Sequence, residues 1–383
     1  MIGKGGKIYT FSLDDKLVLW FSGVNKYLVV QPGLEELIKL IWEDPGNSSI
    51  VEVCKKEFDV DELQANKIKD DFINYIDENI KGNNLVQSAN AEKRQNQWTD
   101  QLNISKKYYK IYEKVFFVEY ESERAQALNH PKIAHLEISP TEVFHHYFKV
   151  FHAQNSFTLN VDGKTAGSWK ESGNHFMTGK FSMEILQKIY GREEKDWLGV
   201  FHAAGISNGK ESMMFFGDSG NGKSTLSALL MANGLDVLSD DFLPVTTNPE
   251  LVCRFPAALS IKKSAYSLVS SAYTDLEHAE EHHSPQQDKT FRYLPPLKTQ
   301  KTAVPCKAII YVKYQKGAGL TLEEMPREEA FQQLVPDSWI SPEPENARRF
   351  IQWFNQLPCY RLTYSDNRRM VETVKKLFNN EIF

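Results

Sequence analysis

The sequence predicts an α/β protein: a mixed-sheet domain built around a glycine-rich loop, preceded by a small α+β unit of three strands and three helices. Three observations carry this. An apolar run, a glycine loop and an amphipathic helix follow one another in "MMFFGDSGNGKSTLSALLMANG" (213–234). Three short β-rich runs precede three helical patterns near the N-terminus, and strands alternate with helices through the C-terminal two thirds.

A chain of 383 residues has room for two or three domains of about 100–200 residues each. Its 41% hydrophobic and 25% charged residues are ordinary globular composition. A net charge of −5 and a pI near 6.1 give no electrostatic footprint for nucleic acid. Cys54, Cys253, Cys306 and Cys359 are far apart and form no CxxC pair. That argues against a zinc ribbon or a disulfide framework and fits a reducing compartment. The N-terminus lacks an apolar core of signal-peptide length, and nowhere do about 18 apolar residues run together. A cytoplasmic protein with no membrane partner is expected.

Residues 7–31 hold three β-rich runs broken at Asp14-Asp15 and Ser22-Gly23, which suggests an antiparallel meander. Pro32-Gly33 ends it. Leu34, Leu37, Ile38, Ile41 and Trp42 then recur at helical spacing, and a turn at 44–47 leads to a second helix capped by Ser48 or Ser49. A third begins at Asp59, with apolar residues at 60, 63, 68, 72, 73 and 76. Residues 1–85 therefore read as one unit. The polar, Asn- and Gln-rich stretch 86–104 reads as a linker, and 105–383 as one α/β domain. Strands are expected in "KVFFVEYES", "IAHLEIS", "VFHHYFKVFHAQ" and "SFTLNVDGK", with a helix over 182–192. Further strands follow in "LDVLSDDFLPV", "CKAIIYVKY" and "YRLTY", and further helices over 226–233, 327–335, 345–356 and 367–379.

The stretch Gly217, Asp218, Ser219, Gly220, Asn221, Gly222, Lys223, Ser224, Thr225 has the form of a phosphate-cradling loop. Its glycines allow successive N–H groups to point at one anion, and the helix N-terminus adds its dipole. Lys223 supplies a cation to the outer phosphates, and the Ser224 hydroxyl is suited to Mg²⁺. Only residues 224–239 separate Lys223 from Asp240-Asp241, at the end of the strand "LDVLS". Strand C-termini line the ligand crevice of α/β sheets, so this pair is expected to face the phosphates. One carboxylate would hold Mg²⁺ and the other take a proton from a hydroxyl; the sequence does not say which. Upstream, His202 is expected at the end of a strand that hairpins into the loop's own strand through Asn208-Gly209.

The run from His202 to Val245 resembles the HPr kinase/phosphorylase family: a His-containing strand, GDSGxGKS, a helix, then a strand ending in two aspartates. The likeness extends over about residues 195–380 to the HPr-kinase-related enzymes of peptide modification, through "FPAALSIKKSAY" (255–266), "KTFRYLPP" (289–296) and "LPCYRLTY" (357–364). The resemblance implies a P-loop fold of the HPr-kinase/PEPCK-like type, using ATP and Mg²⁺ to phosphorylate a Ser or Thr hydroxyl. It also implies roles for Lys262 and Arg292 as cations facing the phosphoryl oxygens, with Lys289 a lesser candidate. The glycine-rich signature that accompanies phosphorolysis in that family is not found here. A homo-oligomer is compatible, since HPr-type kinases are commonly hexamers.

Residues 24–78 are similar to the PqqD-like, winged-helix-like fold, the leader-recognition element of ribosomal peptide modification. This implies a precursor peptide bound through its leader by residues 1–85. Two other readings stay open: a small-molecule or other protein kinase with the front unit as a cap, and a nucleotide-binding regulator without transfer activity. His278, Glu281 and His282 read as part of a charged loop, His145, His146 and His152 as strand packing, and Arg348-Arg349 as a solvated helix face.

Overall fold

The computed structural model describes residues 6–81, 104–153, 155–284, 289–298 and 300–382, in mixed α/β structure. The chain divides into two compact units, one of Met1–Asn96 with Met325–Leu357, the other of Gln97–Glu324 with Pro358–Phe383. The expected linker, 86–104, lies outside the described residues except for Ile104.

The front unit opens with β1 (Ile8–Leu13), β2 (Lys16–Phe21) and β3 (Lys26–Val30), an antiparallel meander. Then come α1 (Glu35–Glu43), α2 (Ser49–Phe58) and α3 (Glu62–Tyr75), in the order the sequence predicts. Ser48 is the N-cap of α2, but its side chain makes no capping hydrogen bond; α3 is capped by Asp61, which accepts from Gln64 N, whose side chain answers in a capping box. Leu19, Phe21 and Val30 close a core with Leu37, Ile41, Ile50, Cys54 and Ile76 of the helices.

The second unit begins with β4 (Ser105–Ile111) and β5 (Lys114–Tyr120). Next are α4 (Glu123–Asn129), β6 (Glu137–Ile138), β7 (His146–Ala153), β8 (Ser156–Val161), β9 (Lys164–Lys170) and α5 (Asn174–Tyr190). Six of these strands form a sheet in the order β6-β4-β5-β7-β8-β9. The strand expected over "IAHLEIS" is reduced to two residues, because Pro131 starts a run of 3₁₀ turns and Pro140 ends pairing. The helix expected from 182 starts at Asn174. Met177 and Phe181, one turn apart and buried, tie its first half to the core despite Gly179.

The larger sheet is made by β10 (Trp197–Phe201), β11 (Ala204–Ser207), β12 (Ser212–Phe216), β13 (Asp236–Ser239), β14 (Leu243–Thr246), β15 (Leu251–Cys253) and β19 (Ala303–Tyr314). Their order is β13-β11-β12-β19-β15-β14-β10. Between β12 and β13 runs α6 (Lys223–Ala232). A separate ribbon, β16-β18-β17, joins β16 (Leu259–Lys262), β17 (His282–Ser284) and β18 (Lys289–Leu294), with α7 (Tyr266–Ser270) between the first two in sequence. His282 thus stands on a strand rather than in a charged loop. After β20 (Leu320–Glu324), the stretch Met325–Leu357 carries α8 (Arg327–Leu334), β21 (Trp339–Ile340) and α9 (Pro344–Gln356) and belongs to the front unit. The chain then returns to the second unit with β22 (Cys359–Tyr364), which pairs with β19 and β20, and α10 (Asn367–Phe378).

That excursion differs from the expected single block 105–383, and its cause is visible in β2. "KLVLWF" is apolar at every position after Lys16, so the meander is buried on both faces, whereas a one-sided sheet alternates. Helices α1 to α3 cover one face. On the other, Tyr27 packs edge-on against Phe331 and Phe350, with ring centroids at 6.0 and 5.9 Å. Trp20 is fully buried and donates to Asn25, whose side-chain amide donates to the Ile340 carbonyl at 2.7 Å. Arg327 pairs with Asp14 at 2.7 Å, and Asn355 donates to the Ser12 carbonyl at 2.8 Å. Phe350→Ala is expected to destabilise the front unit by about 3–5 kcal/mol in chemical unfolding. A cost under about 1 kcal/mol would mean that α9 is an accessory to this sheet.

Candidate active site

Strand β11 pairs antiparallel with both β12 and β13, so β12 and β13 run the same way with β11 between them. Their C-terminal ends lie on one edge of the sheet. The glycine loop leaves β12 there, and Asp240-Asp241 leaves β13 there. The sheet is mixed rather than parallel, yet the edge rule still brings the two segments together.

The loop is braced along its length. Gly217, at φ 148°, has no room for a side chain: a Cβ there would meet the Val312 carbonyl at 2.6 Å. Gly222, at φ 90°, lies against Tyr314 and the Tyr364 hydroxyl. Asp218 accepts from the Tyr311 hydroxyl at 3.0 Å and from the Asn221 side-chain amide at 3.3 Å. The Asn221 carbonyl accepts from Tyr314 N at 3.1 Å, anchoring the loop to β19. Gly220, at φ 107°, is the open tip, with nothing within 4 Å of a notional Cβ. Lys223 is buried at the first position of α6 and donates to the Gly217 carbonyl at 2.6 Å. Ser224 and Thr225 follow in the first helical turn.

The two aspartates have different surroundings. Asp240 is buried, 7% exposed. Its Oδ2 accepts from Ser260 N at 3.4 Å, and its Oδ1 has no hydrogen-bond partner among the described residues. Burial, and then the neighbouring Asp241 charge, push its carboxyl well above the usual range. The Ser224 hydroxyl, Ser260 N–H and Lys223 pull the other way. Asp241 sits at φ 64°, in the left-handed region that a non-glycine residue occupies at a cost, and its side chain is 41% exposed. His202 Nε2 stands 3.7 Å from Asp241 Oδ1. The expected hairpin through Asn208-Gly209 joins β11 to β12, and His202 lies in the break between β10 and β11.

The lysines and the arginine of the ribbon part company. Lys262 Nζ and Lys289 Nζ reach Ser219 Oγ at 3.5 and 2.9 Å. Burial, and then the Lys289 and Lys223 charges, lower the pKa of Lys262, while Asp241 and Asp240 oppose this. Arg292 pairs in register with Ile261, one residue off from the Lys262–Phe291 pair, so it points to the other face. It donates to the Leu276 and Glu277 carbonyls at 3.0 and 2.8 Å and stacks over Tyr266 at 4.5 Å. It therefore does not join the cations at the loop. Lys289, the lesser candidate in the sequence, takes that place. The period-two alternation of "KTFRYL" carried this information once the segment was a strand.

The donor set fits the expected cofactor. One hydroxyl and two carboxylates are hard oxygen ligands suited to Mg²⁺, which keeps waters and phosphate oxygens for its remaining positions. Among the described residues Asp240 Oδ1 accepts no hydrogen bond, and the Ser224 hydroxyl lies near enough to favour the ionised carboxylate. Among the described residues no group of three or more His, Cys, Asp or Glu forms a metal cage, and His278, Glu281 and His282 do not make one. A cleft of about 430 Å³ lined by Lys110, Tyr112, Glu113, Leu136, Pro256 and Lys301, among others, lies away from the loop residues. Among the described residues no helix is long and apolar enough to cross a membrane. No family model matches the chain, and no curated protein is similar to it.

Proposed function

We propose that the chain is an ATP- and Mg²⁺-dependent kinase that transfers a phosphoryl group to a Ser or Thr hydroxyl of a ribosomally made precursor peptide. In this reading the second unit is an HPr-kinase-like P-loop domain, and the front unit is a PqqD-like, winged-helix-like element that holds the peptide's leader. The observation that carries it is the shared sheet edge bearing both Lys223 with its glycine loop and the Asp240-Asp241 pair.

ATP with Mg²⁺ supplies the phosphoryl group and neutralises its charge. The chain's own residues position and polarise. Loop N–H groups and Lys223 hold phosphate oxygens, while Asp218 is kept out of the way by Tyr311 and Asn221. Asp240, buried beside Ser224, belongs to the metal side. Asp241, half-exposed at the mouth with His202 beside it, is the acceptor for the hydroxyl proton. The strained backbone at Asp241 supports a functional placement of that carboxylate.

Mass spectrometry of a co-encoded precursor peptide, incubated with the full-length protein, ATP and Mg²⁺, tests the reading. A product heavier by one phosphoryl group is expected, absent when the leader is cut from the peptide. Lys223→Ala is expected to abolish it; transfer that survives this substitution would overturn the proposal. Trimming the peptide is the better test of recruitment, because deleting residues 1–85 would strand α8 and α9 without their sheet.

A further inference from the structure

The ribbon β16-β18-β17 has two unlike faces. Leu259, Ile261 and Leu294 join the core with Val269 and Leu276, and Arg292 lies on that side, over Tyr266. Alternation sends Ser260, Lys262, Phe291 and Tyr293 to the opposite face. The register sets Lys262 across from Phe291, Ser260 across from Tyr293, and His282 of β17 across from Phe291. Three rings thus gather on the outward face. Phe291 meets Tyr293 edge-on with centroids 5.2 Å apart, and His282 lies 5.1 Å from Tyr293 and 6.1 Å from Phe291. All three are half-buried. A strand face not needed by the core is ordinarily polar, so an aromatic cluster there points to a use other than folding.

The position of the cluster suggests that use. Ser260 N–H donates to Asp240 Oδ2 at 3.4 Å, so β16 lies along the acidic pair. Lys262, on the same face as the rings, is close enough to Asp241 and Asp240 to feel both charges. Phe291 and Tyr293 stand one strand further out, a step of about 5 Å. An extended peptide advances about 3.3 Å per residue, so a side chain a few positions from a hydroxyl at Asp241 is within reach of them.

We infer that Phe291, Tyr293 and His282 form an acceptor-peptide subsite, which seats one apolar side chain of the peptide a few residues from the phosphorylated Ser or Thr. This rests on the reading of the second unit as a peptide kinase. The occupant is apolar because Phe291 offers no polar group and the Tyr293 hydroxyl already lies beside the Ser260 side chain; a charge set against these rings would give up hydration for nothing. Leader capture would choose the peptide, whereas the rings choose which of its hydroxyls is presented.

Steady-state kinetics of the full-length protein with the co-encoded precursor peptide, ATP and Mg²⁺ tests this, together with alanine substitution of each apolar peptide residue near the phosphorylated one. Phe291→Ala is expected to raise the peptide KM by about tenfold, with kcat and the KM for ATP within about twofold of wild type. One apolar peptide position should give a similar loss when changed to alanine. The two losses should not add, because the Phe291→Ala protein has no subsite left for that side chain to fill. Phe291→Leu, which keeps an apolar surface, should recover most of the affinity. An unchanged peptide KM, an equal rise in both KM values, or losses that add at every peptide position overturn the inference and leave the kinase reading standing. A wild-type protein that makes no phosphopeptide overturns that reading and the subsite with it. Thermal melting separates lost binding from lost folding. The peptide substitutions are read on wild-type protein, so the absence of any sensitive apolar position overturns the inference even if Phe291→Ala does not fold.

Discussion

Asp240→Asn is expected to make the second unit more stable while sharply slowing the proposed transfer. The carboxyl is buried with one oxygen unpartnered, and its folded-state pKa is raised. A raised pKa means that the folded protein prefers the neutral form. The stability this contributes is complete below the unfolded-state pKa and is lost as pH rises through the folded one. The amide is neutral at every pH and avoids that loss. The variant should therefore melt above the wild type at pH 8, by the equivalent of about 1 kcal/mol or more, with the gap closing as pH falls toward 4. If the chain is the kinase proposed above, its activity should drop by about a hundredfold to a thousandfold through loss of a carboxylate that would hold Mg²⁺. Melting curves at two pH values and a single-turnover assay check both halves. An Asp240→Asn protein less stable than wild type at pH 8 would show that the native site favours the ionised carboxylate. Stability given up for function in this way is a familiar mark of a reactive site.

Arg254→Met is expected to destabilise the second unit by about 3–5 kcal/mol. Its guanidinium is 1% exposed and pairs with Asp236 Oδ2, while Nη1 donates to the Val237 and Lys298 carbonyls, each at 2.8 Å. Removing it leaves a carboxylate on β13 with little water and no cation, and two carbonyls without a donor. Adding Asp236→Leu should recover much of the loss, because a buried pair replaced as a whole is often neutral. Urea unfolding of both single variants and the double variant gives the coupling; additive losses would deny that the pair acts as a unit. Strand β13 ends at Ser239, immediately before the aspartate pair. The double variant should therefore also report whether this clasp fixes their position, through its activity at full stability.

The loop and the acidic pair were legible in the sequence because their chemistry is local: glycines, a lysine and two aspartates at close spacing. The helices over 327–335, 345–356 and 367–379 were legible from periodicity and appear within a residue or two of those bounds. What the sequence hid is non-local. Strands β4 and β9 are not among the strands expected from the sequence, because "SKKYYKI" and "KTAGSWK" carry lysines and small residues, and only neighbouring strands make them pair. The exchange of Arg292 for Lys289 at the loop turned on a one-residue register in the ribbon. Arg254 had no signal at all, since its partner is fixed only by the packing of β13. The second buried face of β2 did leave a trace, in an apolar run too continuous for a one-sided sheet.

That two-faced meander sets an order of events during synthesis. Residues 6–81 emerge before Met325–Leu357 and can gather Leu19, Phe21 and Val30 under their three helices. Val18, Trp20 and Tyr27 must then wait, because the helices that cover them are not made until the ribosome has passed Gln356. Until then the nascent chain carries an uncovered aromatic sheet face, the kind of surface that attracts chaperones or other unfinished chains. Completion of the front unit depends on Met325–Leu357, a segment made long after residues 6–81. A chain truncated before α9 would consequently present a half-dressed front unit, however well its own three helices had formed.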